Sequence, residues 1–225
     1  MSNYLIRVQL PDRPGALGAV ASRIGSVGGD VISIDILERE HGVVVDELGV
    51  GLAGEDLVDL LRDEVLEVDG VAIESVRPVE GPLPDRHAEL LGMATELFKQ
   101  RSSAGLLDHL AVRVRRSLGA TFAVVYDCTR AEVVSCDGRP PDLERLAGAA
   151  ASVLVSGAHR GEDAGASIPT DGIVVTENAT VAAAGMAHAG LALVIGREDP
   201  VLRERELQWL SLMAELADHG WRQLA

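Results

Sequence analysis

The chain has 225 residues, of which 47% are hydrophobic and 24% charged, so it is long enough for one large globular domain or two small ones. Its formal net charge of −15 argues against nucleic acid and against an anionic membrane as the main partner. Two cysteines do not form a disulfide framework, the start lacks a signal-peptide-like stretch, and no apolar run is long enough to cross a membrane. These features predict a soluble protein of the cytoplasm.

The first 80 residues predict alternating strands and helices. The predicted elements are a strand over Tyr4–Leu10, a helix with Leu17, Val20, Ala21, Ile24 and Val27 at helical spacing, a strand over Asp30–Glu38, a turn over Arg39–Gly42, a strand over Val43–Leu52, a helix over Glu55–Val65 and a strand over Gly70–Val79. The strand at Asp30 is expected to be half-buried, with Ile32, Ile34 and Ile36 on one face. This order predicts an α+β fold of the ferredoxin-like type, in which two helices cover one face of a four-stranded antiparallel sheet.

A segment rich in proline and glycine divides the chain. We predict a first domain over residues 1–80, a linker over 81–87 and a second domain over 88–225. The predicted elements of the second domain are helices over Ala88–Gln100 and Ala104–Leu118, strands over Ala120–Asp127 and Ala131–Gly138, a helix of small residues over 143–157, two weaker strands over 172–186, a buried strand within Gly190–Asp199 and a closing helix over Val201–Leu224. This pattern predicts an α/β domain with an antiparallel sheet flanked by helices.

The segment "DRPGAL", Asp12–Leu17, forms the corner between the first strand and the first helix. Pro14 suits the first position of a helix, where its missing N–H costs nothing. The following amides, of Gly15, Ala16 and Leu17, are then expected to point outward without partners at the positive end of the helix dipole. A carboxylate is the natural occupant, and Gly15 lets it approach the backbone. The alternative is that water or Asp12 satisfies these donors and the corner only starts the helix.

The order of residues around this corner resembles the signature of the ACT domain, a regulatory module that binds amino acids. The matching residues are Asp12-Arg13-Pro14-Gly15-Ala16-Leu17, Val20, Ile24, Gly28-Gly29-Asp30-Val31 and Ile34, and the resemblance covers residues 4–79. It implies the ferredoxin-like fold and a side-by-side pair of domains. A free amino acid would bind between the first loop of one copy and the start of the second strand of another.

The resemblance also implies which residues line the ligand site. One wall would be formed by Asp12, Pro14, Gly15, Ala16 and Leu17, and the other by Asp30, Val31 and Ile32. Asp30 departs from the family, in which asparagine is common at this position. Its carboxylate can accept hydrogen bonds from an ammonium group but repels a carboxylate.

The second domain resembles a GAF domain, a small-molecule-binding and dimerising module of sensory proteins. The resemblance is carried by the segment "GLALVIGREDPVLRERELQWLSLMAELADHGWRQL", in which a central strand runs through a polar turn into a long helix. It rests on this pattern and not on diagnostic residues. It implies an antiparallel sheet flanked by helices.

The sequence contains no motif that supports catalysis, a metal or a cofactor. "GVGLAG", with Gly49, Gly51 and Gly54, mimics a dinucleotide-binding fingerprint, but its first two glycines continue the alternation of a strand and acidic residues follow it. The six histidines are scattered without metal-ligand spacing. Cys128 and Cys136 could face each other across the predicted hairpin and are expected to be free thiols.

These observations favour a non-enzymatic cytosolic regulator or sensor that binds a small amino acid as a homodimer and signals through an unidentified protein partner. A second hypothesis makes the first domain a ligand-free dimerisation adaptor. A third hypothesis is an enzyme with its site in the second domain, around His159, Glu162 or Cys136. No cofactor, metal, nucleic acid or membrane partner is expected.

Overall fold

The computed structural model describes residues 2–142, 146–151, 173–176 and 179–224. The chain divides into two compact units, Met1–Pro84 and Asp85–Ala225. The boundary between the units lies within residues 81–87, where the linker is predicted. Each unit has its own sheet and its own hydrophobic core.

The first unit is a four-stranded antiparallel sheet with two helices. Its elements are β1 (Ser2–Pro11), α1 (Ala16–Ser26), β2 (Asp30–Glu40), β3 (Val43–Leu52), a 3₁₀ turn (Glu55–Leu57), α2 (Val58–Leu66) and β4 (Ala72–Val79). The strand order β2-β3-β1-β4 places β1 and β3 in the centre and β2 and β4 at the edges. This order and the two crossover helices confirm the predicted ferredoxin-like fold.

Both helices of this unit pack on the same face of the sheet. Helix α1 buries Ala16, Val20 and Ile24, which recur every four residues and so lie on one side of a helix. They form one core with the side chains of alternate residues of the two central strands: Tyr4, Ile6, Val8, Leu10, Val44, Leu48, Val50 and Leu52. Helix α2 adds Leu61 and Val65 to this core.

The strand predicted over Asp30–Glu38 is longer than expected. It extends to Glu40, and the turn shortens to His41 and Gly42, which both have positive φ angles, as two-residue hairpin turns require. Ile32, Ile34 and Ile36 are exposed to 53%, 47% and 48%. Exposure alternates along β2 from Asp30 to Leu37, as expected of a half-buried strand, and the three isoleucines lie together on its exposed side.

One buried carboxyl group stands out in this core. Asp46 on β3 lies opposite Val8 of β1 and Ile36 of β2, so it is on the face that carries the helices. It is only 1% exposed, and its Oδ1 atom has no hydrogen-bond partner among the described residues. Burial raises the pKa of Asp46.

We expect Asp46→Asn to stabilise the protein by about 1 kcal/mol at neutral pH, because burial disfavours the charged form of the wild-type carboxyl group and an amide carries no charge. The raised pKa of the folded state means that wild-type stability falls as pH rises from about 4, where an unfolded Asp titrates, through the folded pKa. The gap between the two proteins should therefore grow with pH and close in acid. Urea unfolding of both proteins from acidic to neutral pH measures this difference in the free energy of unfolding. A difference independent of pH would contradict the raised pKa of Asp46.

The second unit is a five-stranded antiparallel sheet flanked by helices, as predicted. Its elements are α3 (Arg86–Phe98), α4 (Ser103–Ser117), β5 (Phe122–Asp127), β6 (Glu132–Gly138), β7 (Ile173–Thr176), β8 (Ala179–Met186), β9 (Leu191–Arg197) and α5 (Glu204–Leu224), and residues 146–151 are also helical. The strand order is β6-β5-β9-β8-β7. Helix α3 begins two residues before its predicted start because Asp85 caps it and accepts hydrogen bonds from the amides of His87 and Ala88.

Two sets of helical segments pack on the sheet of this unit. Helices α4 and α5 contact its strands, and the segment 146–151 contributes Leu146, Ala149 and Ala150 to a core with Phe122 and Val124. Within the described ranges, no helix has the length and apolar character needed to span a membrane.

Candidate functional site

The corner before α1 is an open helix start. Gly15 precedes the helix with a φ of +89°, a left-handed conformation that favours glycine, and no side chain caps the helix. Of the three amides expected to be free, that of Ala16 donates to the carbonyl of Arg13 at 3.2 Å, which corrects the prediction for this residue. In the part of the chain that the structure describes, the amides of Gly15 and Leu17 have no acceptor. Two of the three predicted donors therefore lack an acceptor among the described residues.

The carboxylate of Asp12 does not cap the helix. It forms a bidentate ion pair with Arg39 at the end of β2, with Nε–Oδ2 and Nη2–Oδ1 distances of 2.8 and 2.6 Å. The hydrogen bond from Arg39 lowers the pKa of Asp12, so the pair is ionised. Arg39 has a side chain 67% exposed and keeps further N–H donors for a ligand. The alternative in which Asp12 satisfies the helix amides is therefore not what the structure shows.

Sequence reasoning missed Arg39 because it assigned this residue to a turn. The position of the β2–β3 hairpin beside the corner could have indicated Arg39. The amide of Asp12 donates to the carbonyl of Gly42 at 2.8 Å, so the turn that ends β2 lies beside the corner. If the strand had been predicted to extend to Glu40, Arg39 would have been placed beside the corner.

The remaining residues of the first wall differ in exposure. Pro14 and Gly15 are exposed, and Leu17 is partly buried against the core. Ala16 is 4% exposed and belongs to the core, so its side chain does not face a ligand. The groups available at the first wall are therefore the amides of Gly15 and Leu17 and the side chain of Arg39. The exposed parts of Pro14 and Leu17 lie beside them.

The second wall lies at the other end of the sheet. Pro11, at the corner, pairs with Val43, whereas Asp30 pairs with Gly51, eight positions further along β3. At about 3.3 Å per residue, this separates the two walls by roughly 26 Å. Within one chain the structure therefore does not bring Asp30, Val31 and Ile32 together with the corner.

The residues of the second wall are only partly available. Asp30 and Ile32 are exposed, whereas Val31 packs against the core. The carboxylate of Asp30 is the polar group that this wall offers. It can accept hydrogen bonds from a cationic group.

The glycine pattern that mimics a dinucleotide fingerprint lies in a strand. Gly49 and Gly51 are residues of β3, as predicted. A Cβ atom at Gly49 would lie 2.3 Å from the hydroxyl oxygen of Ser33 and 2.8 Å from a methyl carbon of Leu83. Gly49 is therefore explained by close packing in the first unit.

The cysteines of the second unit are not activated nucleophiles. Cys136 on β6 pairs with Val124, and Cys128 follows the end of β5, so they do not face each other as the hairpin pattern suggested. Burial raises the pKa of both thiols, and the carboxylates of Asp127 and Asp137 add to this for Cys128 and Cys136, respectively. The other residues of the enzyme hypothesis, His159 and Glu162, lie outside the described residues.

No protein-family model and no curated protein matches the sequence. Solved structures similar to the chain include an ACT domain from GTP pyrophosphokinase of Chlorobium tepidum, with 18% identity over 37% of this chain and 91% of that one and a TM-score of 0.29. The GAF domain from Acinetobacter phosphoenolpyruvate-protein phosphotransferase has 12% identity over 61% and 93%, with a TM-score of 0.40. Free methionine-R-sulfoxide reductase from Neisseria meningitidis has 11% identity over 65% and 96%, with a TM-score of 0.39.

The architecture of the two units agrees with the two resemblances of the sequence, so the first is called the ACT unit and the second the GAF-like unit. The ACT unit is the sheet in which α1 and α2 cover one face, and the GAF-like unit is the five-stranded sheet flanked by helices. The similarity to solved structures concerns the fold alone. The chemistry of the site therefore has to be argued from the residues of this chain.

Proposed function

We propose that the protein is a non-enzymatic regulator or sensor whose ACT unit binds a small amino acid between two copies of the chain. The observation that carries the proposal is the position of the two walls at opposite ends of the edge strand β2. If β2 pairs antiparallel with β2 of a second copy, the start of one strand comes beside the end of the other. Each corner then meets the second wall of the other copy.

The exposure of β2 supports this pairing. Ile32, Ile34 and Ile36 give an edge strand three exposed isoleucines near its middle. An unpaired strand edge with exposed apolar side chains favours pairing with another strand. Antiparallel pairing of two identical strands is also compatible with twofold symmetry.

The charges of the two walls match the two ends of an amino acid. The amides of Gly15 and Leu17 and the free donors of Arg39 suit the carboxylate of the ligand. Asp30 of the second copy suits its ammonium group. Ile32 of the second copy and Leu17 are apolar neighbours that suit a small aliphatic side chain.

Regulation would follow from this shared site. A ligand that contacts both copies binds only the paired state and shifts the population toward it. The state of the dimer would then be passed to a partner protein. The GAF-like unit would transmit this state or bind a ligand of its own.

Thermal unfolding of the full chain against each standard amino acid tests the proposal. A ligand at about 100 times its Kd should add roughly 2.7 kcal/mol of stability. Gly15→Val should abolish this shift, because it places a branched side chain at the corner and in a left-handed conformation. Gly81→Val is the matched control, since Gly81 has the same φ of +89°, is also exposed with open space around it and belongs to neither wall.

Sedimentation equilibrium tests the pairing of β2. Ile34→Glu should convert a dimer into a monomer, because it introduces like charges at the centre of the pairing strands. Leu60→Glu on α2 should leave the dimer intact, and Leu60 has the same 47% exposure as Ile34. Dissociation by both variants, or by neither, would contradict pairing through β2.

A second candidate function is the ligand-free dimerisation adaptor. It is favoured by the exposed isoleucines, which need no ligand to pair. A dimer that Ile34→Glu dissociates, together with unchanged thermal stability in every amino acid, would favour the adaptor. A selective shift that Gly15→Val removes would favour the sensor.

A further inference from the structure

The GAF-like unit contains a cavity of about 380 Å³ that the proposed amino-acid site does not involve. It lies where three parts of the unit meet: the turn between β5 and β6, the segment that leads into β9, and the last turns of α5. Its lining residues are Asp127, Thr129 and Arg130 from the first part, Ala189 and Leu191 from the second, and Trp221 from the third, with Val134 of β6 beside them.

Two buried carboxylates hold the walls of this cavity. Asp127 accepts hydrogen bonds from the amides of Thr129 and Arg130 at 2.8 and 2.9 Å. Asp218 of α5 accepts from the amides of His188 and Ala189 at 3.0 and 2.9 Å, and its Oδ2 lies 2.6 Å from Nδ1 of His188. Both side chains belong to residues less than 9% exposed. The walls are therefore positioned before any ligand binds.

These acids are ionised and satisfied within the protein. The amide of Arg130, followed by that of Thr129, lowers the pKa of Asp127. Burial acts to raise the pKa of Asp218, but the hydrogen bonds from His188 and Ala189 outweigh it and the pKa is lowered. Both carboxylates accept hydrogen bonds from the protein, and Asp127 keeps its negative charge at the cavity wall.

Two arginines carry exposed positive charge beside the cavity, and the exposed Glu132 of β6 lies opposite Asp127. The side chain of Arg130 is 75% exposed, and its Nη1 is 3.4 Å from Oδ2 of Asp127, a long contact that leaves most of its donors free. Arg222, the neighbour of Trp221, is exposed and donates from Nη1 to Nε2 of His188 at 3.3 Å. The unused donors of Arg130 can therefore bind an anionic group at the cavity.

The remaining lining is apolar and includes a large aromatic ring. Trp221 is partly exposed in the cavity, and the side chains of Val134 and Leu191 line it as well. A flat ring can pack on an indole with favourable stacking energy. We propose that this cavity binds a small aromatic anion, with its carboxylate or phosphate group on Arg130 and its ring on Trp221.

Fluorescence of Trp221 tests the proposal. The chain has two tryptophans, so Trp209→Phe leaves Trp221 as the single reporter. Benzoate or phenyl phosphate at millimolar concentration should change its emission, whereas neutral benzamide should not. The response to benzoate and that to phenyl phosphate show which anionic group the site prefers. Calorimetry of the wild-type chain with the same probes serves if the Trp209→Phe variant does not fold.

Arg130→Gln should weaken binding of the anionic probe at least tenfold, because it removes the charge-assisted hydrogen bonds. Arg139→Gln is the control, since Arg139 is exposed but does not line the cavity. Val134→Tyr should block binding by filling the cavity, and Val133→Tyr should not, although both valines are exposed. Equal binding of benzamide, unchanged binding by Arg130→Gln, or no response to either anion would overturn the proposal.

Discussion

Glu206→Gln is expected to destabilise the GAF-like unit by about 3–5 kcal/mol, because it removes one partner of a buried ion pair. Arg197 of β9 and Glu206 of α5 are 3% and 0% exposed. They are joined by two parallel hydrogen bonds, Nη1–Oε1 at 2.8 Å and Nη2–Oε2 at 2.9 Å. The variant leaves a guanidinium, which cannot lose its proton, in a site without its carboxylate.

The backbone around this pair adds to the expected cost. Arg197 also donates to the carbonyls of Leu118 and Val201 at 2.7 and 2.9 Å, and Glu206 accepts from the amide of Arg203 at 2.9 Å. The pair therefore joins β9, the end of α4 and the start of α5. Disturbing it affects three elements at once.

Urea unfolding followed by tryptophan fluorescence measures this effect, because both tryptophans belong to the GAF-like unit. Glu204→Gln is the matched control on the same helix, and its exposed side chain predicts a change below about 0.5 kcal/mol. Arg197→Met combined with Glu206→Leu should be less destabilised than Glu206→Gln, since no buried charge remains. Equal stability of the Glu204 and Glu206 variants would show that the ion pair does not stabilise the unit.

Glu47→Gln is expected to destabilise the ACT unit by about 3 kcal/mol or more for the same physical reason. Glu47 of β3 lies directly opposite Arg7 of β1, and their side chains are 2% and 0% exposed. Its Oε2 accepts from Arg7 at 2.9 Å and from Arg77 of β4 at 3.1 Å. The substitution removes the negative charge that two arginines share.

Circular dichroism of the full chain in urea measures the Glu47→Gln effect, since the ACT unit has no tryptophan. Glu67→Gln provides the comparison, because Glu67 is exposed after α2 and makes no ion pair among the described residues. If both variants unfold at the wild-type urea concentration, the shared carboxylate contributes nothing to stability. A lower midpoint for Glu47→Gln alone is the expected outcome.

The two buried ion pairs could not be predicted from the sequence. The pattern of Tyr4–Leu10 predicts a strand, and a charged residue within it reads as a solvent-facing position. Arg7 is instead buried, because its partner comes from β3, forty residues away. Its burial depends on the register of two strands, which no local pattern contains.

The sequence by itself determined the type and order of the elements. The strand Val43–Leu52 has the predicted bounds, and Pro14 and the pair Gly28-Gly29 mark the start and the end of α1 within two residues. Local backbone preferences and hydrophobic periodicity are properties of neighbouring residues, so they can be read directly from the chain. The ferredoxin-like order followed from them.

The tertiary structure alone decided which groups meet. It paired Asp12 with Arg39, placed Asp30 far from the corner, and exposed the isoleucines of β2. Each of these facts depends on strand order, on two register shifts and on which strand lies at the edge of the sheet. Contacts between residues distant in sequence arise only when the whole sheet is assembled, and this is why the site residues could be named in advance but their partners could not.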